Sequence, residues 1–150
     1  MSILIIQENK QARFDYFISE TYEAGMVLTG SEVKSLRLKS IQFKDSYIAF
    51  KNNEAFLQNA HISEYKASSY NNHSPERLRK LLLHDYELNK IFSSIKEKGL
   101  TCVPLKIYFK NGKVKLEIGL AKGKKNHDKR ESIKKRDVDL QLRQAKSYNR

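Results

Sequence analysis

The sequence has little of what stabilises secreted proteins or anchors membrane proteins. It contains one cysteine, Cys102, in 150 residues, which excludes an internal disulfide and favours a reducing compartment, the cytoplasm. No apolar run reaches the length of about 18 residues that a transmembrane helix needs. The apolar residues 3–6 lack a positive flank before them and a small-residue cleavage site after them, so no signal peptide is expected.

The common catalytic and metal-binding motifs are also missing. The sequence contains no GxxxxGK[ST], GxSxG, HExxH or CxxC pattern, and no spacing pairs its serines with its histidines. His61 and His73 have neither a second cysteine nor a nearby carboxylate pair that would complete a zinc site. We therefore expect no enzymatic activity, no metal and no other cofactor.

Positive charge is what the sequence has in excess. The 29 lysines and arginines outnumber the 17 acidic residues, for a net charge of +12. Residues 122–150 hold eleven of these cations against four acids, with too few apolar residues to order themselves in water. This pattern favours a polyanionic partner, and nucleic acid is favoured over a membrane surface because the tail has no tryptophan or phenylalanine. We expect residues 1–121 to form one domain and residues 122–150 to form a basic tail that is disordered when free.

The clearest local structure is a hairpin within residues 103–120. Alternating apolar and polar residues flank Asn111-Gly112, a pair that tolerates the positive φ angles of a two-residue turn. The predicted register places Phe109 opposite Val114 and Ile107 opposite Leu116, and the same apolar face is expected to continue through Val103, Leu105, Ile118 and Leu120. The opposite face is expected to be exposed to solvent, and its residues are Lys106, Tyr108, Lys110, Lys113, Lys115 and Glu117.

Further strands are predicted in the first half of the chain. Residues 3–6 predict a strand, residues 9–13 a polar link, and residues 14–28 a long strand that bends or bulges at Gly25. An Asn52-Asn53 turn predicts a second hairpin. Together these patterns are typical of an antiparallel, partly open β-barrel of the oligonucleotide-binding (OB) type.

Two or three helices are expected to flank this barrel. Residues 30–37 predict a short helix with Ser31 as its N-cap. The Ser74-Pro75 start and the spaced apolar residues after it predict a helix that ends at Gly99, with a break at His84-Asp85 as an alternative. Arg77, Arg79 and Lys80 in the first segment of that helix hint at an external anion, because the helix dipole does not favour cations there. Cations interleaved with aromatic residues suit RNA binding by stacking and phosphate neutralisation.

Five runs of sequence are more specific. They are NKQARFDYFI at residues 9–18, EAGMVLTGSEVKSLR at 23–37, DSY at 45–47, RKLLLH at 79–84 and KGLTCVPLKIYFKNGKVKLEIGLAKGKKNHDKR at 98–130. In order and spacing they resemble the SmpB family, the SsrA-binding proteins of bacteria. A departure is Leu38-Lys39-Ser40, where many members carry a glycine-containing turn, which leaves the geometry of this loop open.

The resemblance implies an OB-fold protein of trans-translation. Members bind tmRNA, which has a tRNA-like end, and bring it alanylated to ribosomes stalled on messages without a stop codon. The barrel would hold the elbow of the tRNA-like domain in place of an anticodon arm. The tail would become helical in the empty mRNA channel near the decoding centre. Elongation factor Tu would accompany the complex through alanyl-tmRNA, and a monomer is expected.

The resemblance also assigns residues to these roles. Glu23 falls on the family's acidic residue at the tmRNA interface, where a carboxylate can accept hydrogen bonds from guanine or cytosine amino groups. Leu82 and His84 fall on the other tmRNA-contact positions. The cations assigned to phosphates are Lys10, Arg13, Lys34, Arg37, Arg79 and Lys80. The tail residues assigned to the ribosome are Lys122, Gly123, Lys124, Lys125, His127, Asp128, Lys129, Arg130, Lys134, Lys135 and Arg136.

Simpler interpretations of the same residues stay open. Alone, Glu23 would be a strand-face charge, His84 a helix-boundary cap, and Lys34 and Arg37 a solvated helix face. A general oligonucleotide-binding or ribosome-associated protein could use the same barrel. An RNA-modifying enzyme is the third alternative, and the missing catalytic motifs argue against it.

Overall fold

The computed structural model describes residues 2–65, 72–124 and 130. In this part of the chain strands predominate, and none of its helices is long and apolar enough to cross a bilayer. The elements in chain order are β1 (Ile3–Glu8), α1 (Lys10–Asp15), β2 (Tyr16–Met26), α2 (Gly30–Arg37), β3 (Ile41–Gln42), β4 (Tyr47–Lys51), β5 (Glu54–Gln58), β6 (His61–Ile62), β7 (Arg79–Leu82), α3 (Asp85–Lys98), β8 (Thr101–Lys110) and β9 (Lys113–Gly123).

Seven of these strands form one antiparallel sheet in the order β1-β8-β9-β2-β7-β5-β4. The edge strand β4 also lies close to β8, so the sheet curls around the main apolar core. The sheet is not closed, because no ladder joins β1 to β4 in the described part of the chain. Strands β3 and β6 pair separately. The predicted mainly β fold of OB type, with flanking helices, is confirmed as an open rather than a closed barrel.

Both predicted hairpins form, and the Asn111-Gly112 hairpin has the predicted register. Phe109 pairs with Val114 and Ile107 with Leu116, and the turn residues Asn111 and Gly112 have φ angles of 52° and 78°. In the β4–β5 hairpin the two turn asparagines likewise have positive φ, at 51° and 62°. These turns formed as predicted because their geometry depends on local sequence alone.

The predicted apolar face of β8 is wrong beyond Ile107. A bulge shifts the register between Pro104 and Lys106, which turns Val103 and Leu105 to the opposite side of the strand. There they form a second, smaller core with Ala12 of α1 and with Ala121. A similar shift in β2 lies between Ile18 and Glu20, whereas the ladder of β2 with β9 continues to Gly25 without the bulge that was one of the two predictions there.

Residues 9–13 are not the predicted polar link. Asn9 caps the short helix α1, since its Oδ1 accepts a hydrogen bond from the Ala12 N–H at 3.2 Å. Its Nδ2 donates to the Pro104 carbonyl at 2.8 Å, which ties the cap to β8. The helix therefore begins at Lys10 and places Lys10 and Arg13 on an exposed surface.

The helix predicted from Ser74 is also wrong in its first half. Residues 79–82 form β7, which pairs with β2 and β5, and α3 begins only at Asp85. Leu81 is buried and Leu82 is exposed, the alternation of a strand. The run of leucines fits the periodicity of a helix and that of a strand, and pairing with β2 and β5 makes this segment a strand. The predicted end at Gly99 is confirmed, with a φ of 65°.

Helix α2 spans the predicted residues, but its N-cap lies two residues earlier than predicted. Thr29, not Ser31, is the N-cap, and it forms a capping box with Glu32. Ser31 is buried instead, and its hydroxyl lies 2.8 Å from Nδ1 of the buried His73. After the helix, Lys39 adopts the left-handed region with a φ of 58°, at the turn where many members of the resembled family carry glycine.

The Lys39→Gly variant is expected to be more stable than the parent. A residue with a Cβ is strained in the left-handed region, so glycine should raise the free energy of unfolding by about 0.5–1 kcal/mol. Urea unfolding measures this change. The matched control is Lys96→Gly in the last turn of α3, where φ is not positive and a loss of about 1 kcal/mol is expected. A destabilised Lys39→Gly variant would contradict the argument.

A buried ion pair joins α2 to β7. The side chains of Glu32 and Arg79 are both fully buried, and the Arg79 guanidinium donates to the Glu32 carboxylate. Arg79 also donates to the carbonyls of Ala60 at 3.0 Å and Pro75 at 2.9 Å, and Arg77 approaches the same carboxylate. The assignment of Arg79 to RNA phosphate is therefore corrected, because its side chain lies inside the protein with its charge compensated there.

Candidate nucleic-acid interface

The polar side of the β8–β9 hairpin continues across β2 to β7. Ladder partners lie on the same side of a sheet, so the pairs Tyr108–Lys115 and Lys106–Glu117 share one side with Glu23, which is opposite Glu117. Two residues further along β2, Gly25 pairs with both Lys115 and Leu82. We call this surface the outer face; its members are Lys106, Tyr108, Lys110, Lys113, Lys115, Glu117, Glu23, Gly25 and Leu82.

Glu23 lies at the centre of the outer face with its carboxylate already engaged. The Tyr108 hydroxyl donates a hydrogen bond to Oε2, and the Lys110 ammonium lies 3.3 Å from Oε1 and 3.4 Å from Oε2. The bond from Tyr108, together with Lys110, holds the pKa of the Glu23 carboxyl below its ordinary value. Glu23 is therefore an exposed, ionised acceptor within a mostly cationic surface.

Two opposed carboxylates of the outer face are compensated separately. Glu23 and Glu117 are direct ladder partners, an arrangement in which like charges repel. Lys106 lies 3.2 Å from Glu117, while Tyr108 and Lys110 serve Glu23. These contacts stabilise a negative charge within a lysine-rich surface. Without that charge the surface would offer binding sites for phosphate only.

A groove of 370 Å³, within the size range of ligand pockets, lies beside Gly25, two residues along β2 from Glu23. Its walls include Leu82, Lys113 and Lys115, and Gly25 lies between them. A Cβ built on Gly25 would lie 3.3 Å from the Leu82 Cβ and 3.8 Å from the Lys115 Nζ. The Leu82 side chain is 54% exposed, so an apolar surface borders the cations.

His84 lies two residues beyond Leu82, at the start of α3. It is the N-cap of that helix, and its backbone N–H donates to Glu87 at 3.2 Å. Its ring is exposed and stacks on Tyr86, with centroids 5.5 Å apart and planes inclined by 8°. The structure is thus compatible with His84 as a helix cap and as an RNA contact, since a capping residue can expose a stacked aromatic ring.

The other predicted phosphate contacts are distributed around the domain. Lys10 and Arg13 on α1, and Lys34 and Arg37 on α2, are exposed. Lys34 lies 5.5 Å from the ring centroid of Tyr65. Lys80 bridges to Glu54 at 3.1 Å with its side chain partly exposed. Lys80, two residues from Leu82 on β7, lies on the same side of the sheet as the outer face, whereas the other four cations lie on α1 and α2.

Strand β9 extends two residues into the predicted tail. Lys122 pairs with Phe17 and Gly123 with Tyr16, and the Lys124 N–H donates to the Asp15 carbonyl at 2.8 Å. The Lys124 ammonium lies 5.1 Å from the Phe17 ring centroid, and Arg130 is exposed. The remaining tail assignments lie outside the described residues: Lys125, His127, Asp128, Lys129, Lys134, Lys135 and Arg136.

The described residues contain no cluster of three or more histidine, cysteine, aspartate or glutamate side chains that could hold a metal ion. His73 is engaged through both ring nitrogens, by Ser31 and by the Ile62 carbonyl at 2.8 Å. Cys102 is buried in the main core, and burial raises its pKa to about 12. Its thiol is therefore protonated and unreactive.

Sequence reasoning missed the partners of Glu23 and Glu32. The pattern did place Tyr108 and Lys110 on the polar side of the hairpin. It gave no register between β9 and β2, so it could not bring them to Glu23, 85 and 87 residues away in the chain. In a sequence with many cations, nothing likewise identified Arg79 as the buried partner of Glu32.

Comparisons with known proteins agree with the motifs. The sequence model of the family described as "SmpB protein" matches residues 6–148. An "SsrA-binding protein" of Bdellovibrio bacteriovorus is 70% identical over 144 residues, covering 96% of this chain and 95% of that protein. One from Geotalea uraniireducens is 57% identical over 138 residues, covering 92% and 91%. A chain in the solved structure "tmRNA-SmpB: a journey to the center of the bacterial ribosome" has a TM-score of 0.68 at 47% identity, covering 85% of this chain and 93% of that one.

Proposed function

This chain belongs to the SmpB family, and on that premise we propose that it binds the tRNA-like domain of tmRNA and acts on stalled ribosomes. It delivers alanyl-tmRNA, with elongation factor Tu bound to that RNA, and stands in for the missing anticodon arm. The outcome is ribosome rescue and tagging of the incomplete peptide. The role is one of binding rather than catalysis.

The observation that carries this proposal is the composition of the outer face. Glu23 carries an ionised carboxylate, and two residues along β2 from it the apolar Leu82 and the cations Lys113 and Lys115 line a groove beside Gly25. Lysines bind any phosphate backbone, whereas a fixed carboxylate favours bases that offer amino groups. A surface that combines the two suits a folded RNA with unpaired bases better than a uniform polyanion.

We assign RNA and ribosome binding to different parts of the chain. The domain, which we extend through Gly123 because β9 ends there, binds the tRNA-like domain. Lys10, Arg13, Lys34, Arg37 and Lys80 contribute phosphate contacts, and Arg79 does not. The basic tail beyond it enters the empty mRNA channel and becomes helical near the decoding centre, where neutralisation of its lysines removes their mutual repulsion.

The proposal is tested by binding of the tRNA-like domain across a series of salt concentrations with excess bulk tRNA present. The logarithm of the binding constant should fall by about 0.7–0.9 per phosphate neutralised for each unit in the logarithm of salt. A moderate slope with binding that survives the competitor supports a specific site. A steep slope with binding that bulk tRNA removes would instead indicate a general oligonucleotide-binding protein.

Charge reversal at Glu23 separates specific recognition from attraction. Glu23→Lys adds positive charge to a cationic face, yet it should weaken tRNA-like-domain binding about ten- to a hundredfold because the acceptor is lost. The matched control is Glu20→Lys, which makes the same change on the same strand outside the outer face and should leave binding equal or slightly tighter. Tighter binding by Glu23→Lys would show that Glu23 does not contact the RNA.

A further inference from the structure

The contacts of Glu23 define which base it recognises, and this inference rests on the proposed function. We infer that Tyr108 positions the Glu23 carboxylate so that its two oxygens together bind the Watson–Crick edge of an unpaired guanine, at the place that Lys110 occupies in the free protein.

Tyr108 is suited to hold Glu23 because its own side chain is fixed. It is 5% exposed, although it belongs to the outer face. Its ladder neighbours are Ile5 on β1 and Lys115 on β9, and the Lys106 ammonium lies 5.7 Å from its ring centroid. A packed aromatic ring has few torsions left, so its hydroxyl is a donor at a constant position. The bond to Oε2 therefore orders a side chain that would otherwise rotate freely in solvent.

Lys110 makes a weaker contact of a different kind. Its Nζ lies 3.3 Å and 3.4 Å from the two oxygens, and so lies between them. Charge-assisted bonds of this type are normally about 2.7–2.9 Å long. Both side chains are partly exposed, so the ammonium can leave for a nearby phosphate at small cost. The position between the oxygens is thus available to a ligand with two donors.

Guanine is the base that fits this position. A carboxylate accepts two parallel N–H donors well, as it does from arginine. The Watson–Crick edge of guanine carries N1–H and an N2 amino group side by side. Cytosine and adenine offer one amino group next to an acceptor on that edge, and uracil offers one N–H between two carbonyls. The edge must be unpaired, and the adjoining groove between Leu82 and Lys115 has room for a base out of its stack.

The first test is a double-mutant cycle on the full chain, with the tRNA-like domain of tmRNA as probe and bulk tRNA in excess. Tyr108→Phe should weaken binding about tenfold, and Glu23→Gln by at least as much. Combined with Glu23→Gln, Tyr108→Phe should cause no further loss, because it acts only through the carboxylate. Additive losses in the double variant would mean that Tyr108 supports the fold or contacts RNA itself, and would overturn the positioning role.

The matched control is Tyr22→Phe. The Tyr22 hydroxyl donates to Glu20 at 2.6 Å, so a tyrosine–glutamate bond of the same kind is removed, this time within β2 and away from the outer face. Its binding should stay within about twofold of the parent. Thermal unfolding of all variants distinguishes a binding loss from a folding loss.

The second test changes the RNA. Each unpaired guanine of the tRNA-like domain is replaced in turn by inosine, which lacks only the N2 amino group. One replacement should weaken the parent protein about tenfold and leave the Glu23→Gln variant unaffected. If no inosine distinguishes the two proteins while Glu23→Gln still weakens binding, guanine is not the ligand. If the parent itself fails to bind in the presence of bulk tRNA, the proposed function is what fails.

Discussion

Replacing Glu32 with glutamine is expected to destabilise the domain by about 3–5 kcal/mol, the largest effect on stability that we predict. Glutamine keeps the size of the side chain and removes its charge. Arg79 would then keep a fully buried guanidinium without its counter-ion, with hydrogen bonds to the Ala60 and Pro75 carbonyls. The glutamine amide has one acceptor oxygen in place of two, so it cannot accept both from the Thr29 N–H, now at 2.9 Å, and from Arg79.

Urea unfolding at neutral pH measures this loss. The matched control is Glu76→Gln, which removes the charge of an exposed glutamate that bridges to Lys44 at 3.0 Å, and a change below about 1 kcal/mol is expected. A second variant, Glu32→Gln combined with Arg79→Met, should recover part of the loss because it removes the unpaired charge as well. A loss from Glu32→Gln no larger than that from Glu76→Gln would refute the argument.

The difference in stability between the parent and Glu32→Gln is expected to change with pH in one direction. Burial alone would raise the pKa of Glu32, but hydrogen bonds from Arg77, the Thr29 N–H and Arg79 outweigh burial and hold it below its ordinary value. A carboxyl with a lowered folded-state pKa contributes stability above its unfolded pKa of about 4.3. That contribution is lost as the pH falls through the folded pKa. The stability gap between the parent and Glu32→Gln should therefore narrow below about pH 4.

Local sequence accounts for the elements that were predicted correctly. The two hairpins depend on Asn111-Gly112 and Asn52-Asn53, whose side chains permit positive φ wherever the strands lie. The failures depend on distant residues. β7 is a strand because β2 and β5 pair with it, and the Val103–Leu105 segment turns over because α1 supplies Ala12 to a second core. A pattern of apolar residues does not contain this information.

The predictions for the candidate site were correct or wrong for the same reasons. Family motifs pointed to Glu23 and Leu82, and the ladders bring both to the outer face. The assignment of Arg79 to RNA together with the other cations failed because a sequence does not distinguish a buried arginine from an exposed one. The distinction requires knowledge that α2 carries Glu32 to the same interior position. Tyr108 became informative only when the register of β2 and β9 placed its hydroxyl on Glu23.

Ending the chain after Lys124 is expected to abolish peptide tagging on stalled ribosomes and to leave binding of the tRNA-like domain within about threefold of the parent at physiological salt. The cut removes the part of the tail that we assign to the mRNA channel and preserves every residue of the outer face. Its position follows from the structure. A cut after Ala121 would delete the pairs of Lys122 with Phe17 and of Gly123 with Tyr16, and so would damage β9.

A translation reaction on a message without a stop codon measures tagging, and the salt-dependent binding assay measures affinity in parallel. Full-length Glu23→Lys is the complementary variant: it should fail at the first step, binding, and lose tagging as a consequence, whereas the truncated chain should fail only on the ribosome. Residues 125–150 carry nine cations and four acids, so some affinity supplied by charge should disappear at low salt. A loss of affinity at physiological salt as large as that of Glu23→Lys would mean that the tail belongs to the RNA-binding surface, and the division between domain and tail would have to be abandoned.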